Sequence, residues 1–248
     1  MSPGAAPTWL PYCGAAPVPA DWLGRWNLDP VLLIGLAGGS ALIWRLSDAP
    51  SDRRCLAGAV AISLLLFVSP FCALTSALFS ARVTHHVLLA AIVAPLLVFA
   101  LPQRRTSWAG SLAMWTALQA LTFWLWHSPK LYAEALSSIP VYWLMQATLL
   151  GAAVGFWAAL RRSPAPYAVA ALLASTVQMG LLGALITFAG APLYAPHFLT
   201  TQPWGLNALE DQQLAGLIMW APSAGLYLAS ALFVAQRWFA REEREFAA

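Results

Sequence analysis

Long apolar stretches separated by short polar connections run through the chain after its first 29 residues. A helix needs about 20 mostly apolar residues to cross the hydrocarbon core of a bilayer. Seven stretches approach or reach that length, at residues 30–47, 54–69, 83–101, 107–127, 140–160, 166–189 and 211–236. The pattern therefore predicts an all-α fold, a polytopic integral membrane bundle of about seven transmembrane helices.

The segments between the predicted spans include two short apolar stretches and one long loop. Residues 71–80 are too short to cross a membrane, so we expect an interfacial or re-entrant segment there. Residues 132–138 predict an interfacial turn of helix. Residues 191–210 contain three prolines, which favours an ordered loop.

The chain divides into two tails and a membrane domain. Residues 1–29 are an outer, Pro-, Ala- and Trp-rich tail, 30–238 a single seven-helix transmembrane domain, and 239–248 a cytoplasmic charged tail. The first tail has neither a basic amino-terminal region nor an apolar centre, so we expect no cleaved signal peptide.

Basic residues are distributed unevenly between the two sides of the predicted bundle. With the N-terminus outside, only Arg25, Arg82 and Lys130 fall on the outer side. Cytoplasmic loops carry an excess of Lys and Arg, which predicts a periplasmic N-terminus and a cytoplasmic C-terminus. The inner side receives Arg45, Arg53, Arg54, Arg104, Arg105, Arg161, Arg162, Arg237, Arg241 and Arg244.

The composition agrees with a membrane protein and excludes several other classes. Hydrophobic residues make up 60% of the chain and charged residues 9%, whereas soluble domains carry about 25% charged residues. The chain lacks a basic run that would hold nucleic acid, and it lacks a hydrolase motif or nucleotide-binding loop. We therefore expect a protein that is not an enzyme.

The three cysteines, Cys13, Cys55 and Cys72, show no metal-binding spacing. Their odd number argues against a purely intramolecular disulfide framework. Cys13 and Cys72 can still pair if both face an oxidising compartment.

All four histidines fall toward the outer side of the predicted bundle. His85 and His86 open the third predicted helix, His127 ends the fourth, and His197 lies in the long outer loop. Ionisable groups within a membrane are costly and usually face the bundle interior, and neutral imidazole is the commonest metal ligand. The histidines of neighbouring helices therefore suit copper or zinc.

The seventh predicted helix adds two further candidates, Asp211 at the depth of the histidines and Met219 deeper in the membrane. Met219 follows Gln212 by seven residues, which places it on about the same face and about 10 Å deeper. A thioether beside imidazoles favours cuprous copper over calcium or magnesium. Met179 in the sixth helix is a further candidate.

Each of these residues also has a simpler explanation. His85 and His86 can be an interfacial polar cap, and they point about 100° apart on a helix. Arg82 shares a face with His86 and disfavours a metal there unless Asp211 pairs with the arginine. His127 and Asp211 suit the dipoles of their helix ends, and Met219 suits core packing. Gln119, Gln146 and Gln178 are expected to hydrogen-bond between helices, and Pro95 and Pro222 to kink theirs.

Several blocks of the sequence together resemble the CtaG-type polytopic cytochrome c oxidase assembly factors, over about residues 55–238. The most specific block runs from Leu209 to Trp220, LEDQQLAGLIMW. The other blocks are Ser69-Pro70, Phe79 to Leu89, Ala94 to Leu97, Trp126 to Pro129 with Tyr132, Leu185 to Phe188, Pro192 to Tyr194 and the residues from Leu206 onward.

The resemblance implies a seven-helix bundle in a bacterial inner membrane and a role in oxidase maturation through copper supply or insertion. It implies cytochrome c oxidase subunits and periplasmic copper chaperones as partners. Many relatives carry His-Met-x-x-His at the start of the third helix. Here Arg82 and Val83 stand at the first His and Met, His86 matches the second His, and His85 is the candidate replacement.

We therefore predict an assembly factor that binds or delivers Cu(I) at an outward-facing site between the third, fourth and seventh helices. The predicted ligands are His86 and His127, with His85 as a further candidate. Asp211 is expected to be a ligand or to orient an imidazole, and Met219 to be a deeper soft ligand.

Three other functions compete with this hypothesis. A copper or proton transporter or channel needs polar groups that continue to the inner face. A haem- or quinone-binding membrane protein can use histidines that face each other across the bundle. A structural scaffold for an oxidase subunit needs no metal.

Overall fold

The computed structural model describes residue 9 and residues 11–106 and 110–246. Throughout these residues the regular structure is helical and no strand occurs, which confirms the all-α prediction. The α-helices are α1 Pro30–Leu46, α2 Pro50–Phe67, α3 Phe71–Ala77, α4 Phe79–Leu88, α5 Ala94–Phe99, α6 Leu112–Trp126, α7 Pro129–Ser137, α8 Ile139–Arg162, α9 Ala165–Thr187 and α10 Ala208–Phe246. A π-helical turn, Leu89–Val93, joins α4 to α5, so the three form one continuous helix.

The helices differ in whether their length suffices to cross a membrane. Within the described residues, four are long and apolar enough: Phe79–Phe99, α8, α9 and α10. A fifth is present if α2 and α3, which meet at an angle of 45°, form one broken span. The helices at two other predicted spans are shorter, with 17 residues in α1 and 15 in α6.

The third predicted span begins four residues earlier than expected, at Phe79 rather than at 83. Arg82 therefore lies inside α4 and is fully buried, so its placement in the outer loops was wrong. His85 and His86 consequently lie in the second turn of the helix instead of the first. The predicted interfacial or re-entrant segment 71–80 comprises helix α3, the connecting residue Leu78 and the first two residues of α4.

The π-helical turn comes immediately before Pro95, where the sequence predicts a kink. Proline has no backbone N–H, so a carbonyl one turn earlier loses its usual partner. The indole Nε1 of Trp157 on α8 donates to the carbonyl oxygen of Ala90 at 2.9 Å. This hydrogen bond from a neighbouring helix satisfies a backbone group inside the irregular turn.

Two other predicted boundaries also changed. Helix α6 begins at Leu112, where the Ser111 hydroxyl accepts the Met114 N–H, and the predicted start at 107–109 lies outside the described residues. Helix α10 continues to Phe246, so most of the predicted tail 239–248 extends the last helix.

The core lies where α4, α8, α9 and α10 meet, and α9 and α10 pack against each other along their length. The opposite faces of these helices expose large apolar side chains, including Leu144, Val177 and Leu185. Apolar outer surfaces of this extent suit contact with lipid.

A disulfide bond ties the amino-terminal tail to the first residues of α3. Cys13 is bonded to Cys72, and Cys55 is a free cysteine among the described residues. The Trp204 indole Nε1 donates to the Pro17 carbonyl oxygen at 3.1 Å, which joins the tail to the loop between α9 and α10. The tail and this loop therefore form one layer at the end of the bundle where α4 begins, which we call the outer layer.

Candidate functional site

The amino terminus of α4 is capped by a carboxylate from α10. Its own cap residue, Leu78, has an extended backbone and no side chain that can accept a hydrogen bond. Asp211 supplies the missing acceptors. Its Oδ2 accepts the Phe79 N–H at 2.6 Å, and its Oδ1 accepts the Ser80 N–H at 3.2 Å and the Ser80 hydroxyl at 2.5 Å. A buried carboxylate at a helix amino terminus complements the helix dipole, so Asp211 fixes where the histidine-bearing helix begins.

The structure brings His86 and His127 together. The Nδ1 atom of His86 lies 3.4 Å from the Nε2 atom of His127, and the two rings are nearly perpendicular. The Nδ1 atom of His127 lies 2.7 Å from the carbonyl oxygen of Phe123. A carbonyl accepts only, so Nδ1 carries the proton and Nε2 presents a lone pair to His86. One nitrogen of the predicted pair is therefore already oriented toward the other ring.

His85 is fully buried, and its ring lies edge-on beside that of His86, with centroids 5.8 Å apart. Its ring packs edge-on against Phe67 on α2, with centroids 4.7 Å apart. Neither of its ring nitrogens has a hydrogen-bond partner among the described residues. The 100° step between successive helical residues separates His85 from His86, as the sequence predicts.

A group of aromatic and imidazole side chains that the sequence did not single out as a site comprises Tyr194 and His197 of the outer loop and Tyr132 of α7. The Tyr194 hydroxyl donates to the His127 carbonyl oxygen at 2.7 Å, and its ring stacks on Phe79 with centroids 3.7 Å apart. The Tyr132 hydroxyl lies 2.7 Å from Nε2 of His197. Tyr132 and Tyr194 occur in the sequence blocks of the resemblance, which was the only signal for them.

His197 is a loop residue, as predicted, but it is buried and has hydrogen-bond partners. Its Nδ1 lies 3.2 Å from the Ala77 carbonyl oxygen, in addition to the contact with Tyr132. Burial lowers the pKa of His197 to about 3, so its imidazole is neutral at physiological pH. The residue ties the outer loop to α3 and α7.

The remaining predicted ligands pack in the core or form hydrogen bonds with other groups. Met219 and Met179 are buried in the core, and neither sulfur forms a hydrogen bond with an imidazole in the described part of the chain. The oxygens of Asp211 accept hydrogen bonds from Phe79 and Ser80 rather than from Arg82 or an imidazole. Across the described residues, no group of three or more His, Cys, Asp or Glu side chains is placed to hold a metal.

The three glutamines expected to join helices behave differently. Gln119 on α6 donates to the Tyr227 hydroxyl on α10 at 2.5 Å, as predicted. The side-chain amide of Gln178 has no hydrogen-bond partner among the described residues, and that of Gln146 lies beside Tyr142 of its own helix. Gln146 also lines an apolar cavity of about 270 Å³ between α1, α2 and α8.

Comparison with known proteins identifies the family. No curated protein and no solved structure matches the chain. A family model described as cytochrome c oxidase caa3 assembly factor (Caa3_CtaG) matches residues 41–241, which contain α4, α6, α10 and the histidine pair. The chain therefore belongs to the cytochrome c oxidase caa3 assembly factor family.

Proposed function

We propose that the protein holds a cuprous ion between His86 and His127 and delivers it to a haem–copper oxidase during assembly. The observation that supports the proposal is the distance of 3.4 Å between His86 Nδ1 and His127 Nε2. Metal–nitrogen bonds are about 2.0 Å long, so a small separation of the rings would admit an ion between the two atoms. The ion is the cargo, and the partners are oxidase subunits and periplasmic copper chaperones.

The number of ligands favours cuprous copper over other metals. Structural zinc sites are almost always four-coordinate, and calcium takes six to eight oxygen ligands. A pair of imidazoles is too small a set for either, whereas Cu(I) accepts two ligands. His85 and Met219 are further candidate ligands that need a rearrangement to join the pair, and the capping carboxylate of Asp211 orients α4.

The outer layer gives the proposed cargo a route to a partner. Tyr194 and His197 cover the histidine pair and are held by hydrogen bonds to His127, Tyr132 and Ala77. Displacement of this loop by a docking oxidase subunit would expose the pair on the outer side. Transfer there requires no polar path through the bundle, which distinguishes the proposal from a transporter.

We also propose that the bundle crosses a bacterial inner membrane seven times, with its N-terminus in the periplasm. The spans are α1, α2, the helix Phe79–Phe99, α6, α8, α9 and α10. The Cys13–Cys72 disulfide supports this orientation, because disulfides form in oxidising compartments such as the periplasm. With Arg82 excluded, ten basic residues lie on the proposed inner side and two on the outer side.

The copper proposal is tested by loading the purified protein anaerobically with a buffered cuprous chelate. We expect wild type to retain copper, and His86→Ala and His127→Ala each to lose affinity by about tenfold or more, because each variant removes a ligand atom. Copper is quantified by mass spectrometry and by competition with the chelator.

His197→Ala is the matched control, since it removes another buried imidazole of the outer layer and should leave copper affinity unchanged. Equal copper in wild type and both pair variants would contradict the site. A haem absorption band in the purified protein that disappears in those variants would favour haem binding instead.

The orientation is tested by labelling cysteines with a membrane-impermeant maleimide. We expect Ser51→Cys, at the exposed start of α2, to react only in inside-out vesicles. Lys130→Cys, at the exposed start of α7, should react only in right-side-out vesicles. Both variants carry Cys55→Ser, so the native free thiol adds no signal. The opposite pattern would reverse the proposed orientation.

A further inference from the structure

Two glycines form one wall of the cavity of about 270 Å³ that lies between α1, α2, α8 and the π-helical turn. Gly35 and Gly39 on α1 are four residues apart, so they lie on one face of the helix. A Cβ atom added at either glycine would meet no atom within 4 Å. Small residues in membrane helices usually let two helices approach closely, whereas here they border the cavity and keep it wide.

Serine hydroxyls from two helices line the same cavity without a hydrogen bond. Ser63 on α2 is only 9% exposed, and Ser40 on α1 is partly buried. A serine inside a helix can donate to the carbonyl oxygen four residues earlier, as Ser230 does on α10. Ser40 and Ser63 form neither that hydrogen bond nor another one within the described part of the chain. A polar group without a partner in apolar surroundings costs free energy, so both hydroxyls favour a ligand with polar atoms.

Ser63 and Gln146 lie at one depth, next to a pair of aromatic rings. Phe67 on α2 and Trp143 on α8 line the cavity and stack with ring centroids 6.0 Å apart. Ser63 precedes Phe67 by four residues and Gln146 follows Trp143 by three, so both are about one turn, roughly 5 Å, deeper in the bundle. Gln146 is 3% exposed, and its amide lies beside Tyr142. An amide has two N–H donors, so contact with one hydroxyl leaves an N–H group for a further partner.

Ser40 supplies a second polar group at a greater depth. It also lines a groove between α1 and α2 together with Leu56 and Val60. These two residues precede Ser63 by seven and three positions, which places them about 5–10 Å further along the helix axis. The outer faces of α1 and α2 carry exposed apolar side chains. The apolar tail of a ligand can therefore extend from the cavity through this groove into the lipid.

We propose that the cavity binds a lipophilic quinone from the membrane. A para-quinone ring is flat and uncharged, and its two carbonyl oxygens lie on opposite sides of the ring. One oxygen would accept a hydrogen bond from Ser63 or Gln146, and the other from Ser40, with the ring against the glycine wall. Ligand pockets are mostly apolar, contain a few polar groups and have volumes of about 300–1,000 Å³. The cavity is close to the lower limit, which suits a single ring.

The lining of the cavity argues against other occupants. Of the described residues that line it, none is charged and none is a histidine. A phospholipid headgroup would lack a counter-charge there, and a haem would lack an axial imidazole. The site is separate from the His86–His127 pair, and quinone binding depends neither on copper nor on a redox step.

The proposal is tested on the full-length protein in lipid nanodiscs that contain a benzoquinone with a decyl tail. Anything that binds only the folded state raises Tm with its concentration. We expect the quinone to raise the Tm of wild type with saturation, and decylbenzene, which has the same tail and a ring without carbonyl oxygens, not to do so. No rise with the quinone, or an equal rise with decylbenzene, would overturn the proposal.

Gly39→Leu should abolish the quinone-dependent rise, because its side chain fills the cavity while its Cβ meets no protein atom within 4 Å. Gly38→Leu is the matched control. An added Cβ at Gly38 also meets no atom within 4 Å, but this glycine does not line the cavity, so the variant should retain the full response. Equal responses of the two variants would contradict the location of the site.

A second set of variants locates the site if Gly39→Leu does not fold. Ser63→Ala combined with Gln146→Leu removes the polar groups of one depth and keeps the apolar walls. We expect this double variant to need several-fold more quinone for half of the Tm rise. Half-saturation at the wild-type quinone concentration would show that these groups do not contact the ligand and would contradict the proposal.

Discussion

Replacing Gly216 by valine should abolish the folded protein, because α9 and α10 meet there through their backbones. A Cβ atom at 216 would lie 2.2 Å from the Thr187 hydroxyl oxygen, 2.6 Å from the Gly183 carbonyl oxygen and 2.7 Å from the Thr187 nitrogen. Two of these three atoms are backbone and cannot rotate away. Small residues at such crossings let membrane helices approach closely. We expect Gly216→Val to destabilise the bundle by about 3 kcal/mol or more.

The measurement is the fraction of monodisperse protein after detergent extraction, followed by thermal unfolding of whatever remains. Gly225→Val is the matched control, since it lies on the same helix and its added Cβ would meet no atom within 4 Å. If Gly216→Val and Gly225→Val are equally stable, the close approach of α9 to α10 is not a requirement of the fold.

The sequence predicted the helices better than their ends. Apolar length located α8, α9 and α10, because each contains a long and mostly apolar stretch. It missed the first turn of the Phe79–Phe99 helix, because Arg82 in that turn and His85 and His86 in the next lower the mean hydropathy. Those polar residues are tolerated because they face the protein interior. Hydropathy averaged along the chain does not show which face of a helix a residue occupies.

The histidine pair was predictable, whereas the environment that positions it was not. His86 and His127 lie at the same depth on separate apolar helices, and the resemblance included both. The capping role of Asp211 depends on a contact across 132 residues, so the local sequence indicates only an acidic residue at the start of α10. Arg82 was assigned to an outer loop because the predicted helix began at residue 83 rather than at Phe79.

The order of the outer loop was predictable from the sequence, but the orientation of its side chains was not. Its prolines predicted an ordered segment, and the structure contains two short 3₁₀ turns there, Ala195–His197 and Gln202–Trp204. Which side chains point inward depends on contacts with α3, α7 and the amino-terminal tail. The inward positions of His197 and Tyr194 therefore became evident only from the tertiary structure.

Substituting Asp211 by asparagine should destabilise the protein strongly while keeping the shape of the side chain. The carboxylate accepts three hydrogen bonds at the start of α4. An amide has one acceptor oxygen and turns its NH₂ group toward an N–H or hydroxyl donor. A hydrogen bond to a charged group contributes about 1.5–3 kcal/mol, so we expect a loss of about 3 kcal/mol or more. Thermal unfolding monitored by tryptophan fluorescence measures it.

Glu210→Gln provides the control for the loss of negative charge. Glu210 precedes Asp211, is exposed and accepts one hydrogen bond among the described residues, from the Asn207 N–H. This variant should change Tm little. If Asp211→Asn is as stable as Glu210→Gln, the carboxylate is not needed to begin α4.

A second substitution separates a capping role from a general effect of charge. Leu78 occupies the cap position of α4 without an acceptor side chain, and serine at a cap position stabilises a helix by about 1 kcal/mol relative to an apolar residue. Leu78→Ser should therefore recover part of the stability lost in Asp211→Asn and gain less in wild type, where the same N–H groups already have a partner. Because α4 carries His86, the same double variant should regain copper binding together with stability if the start of this helix sets the distance between His86 and His127.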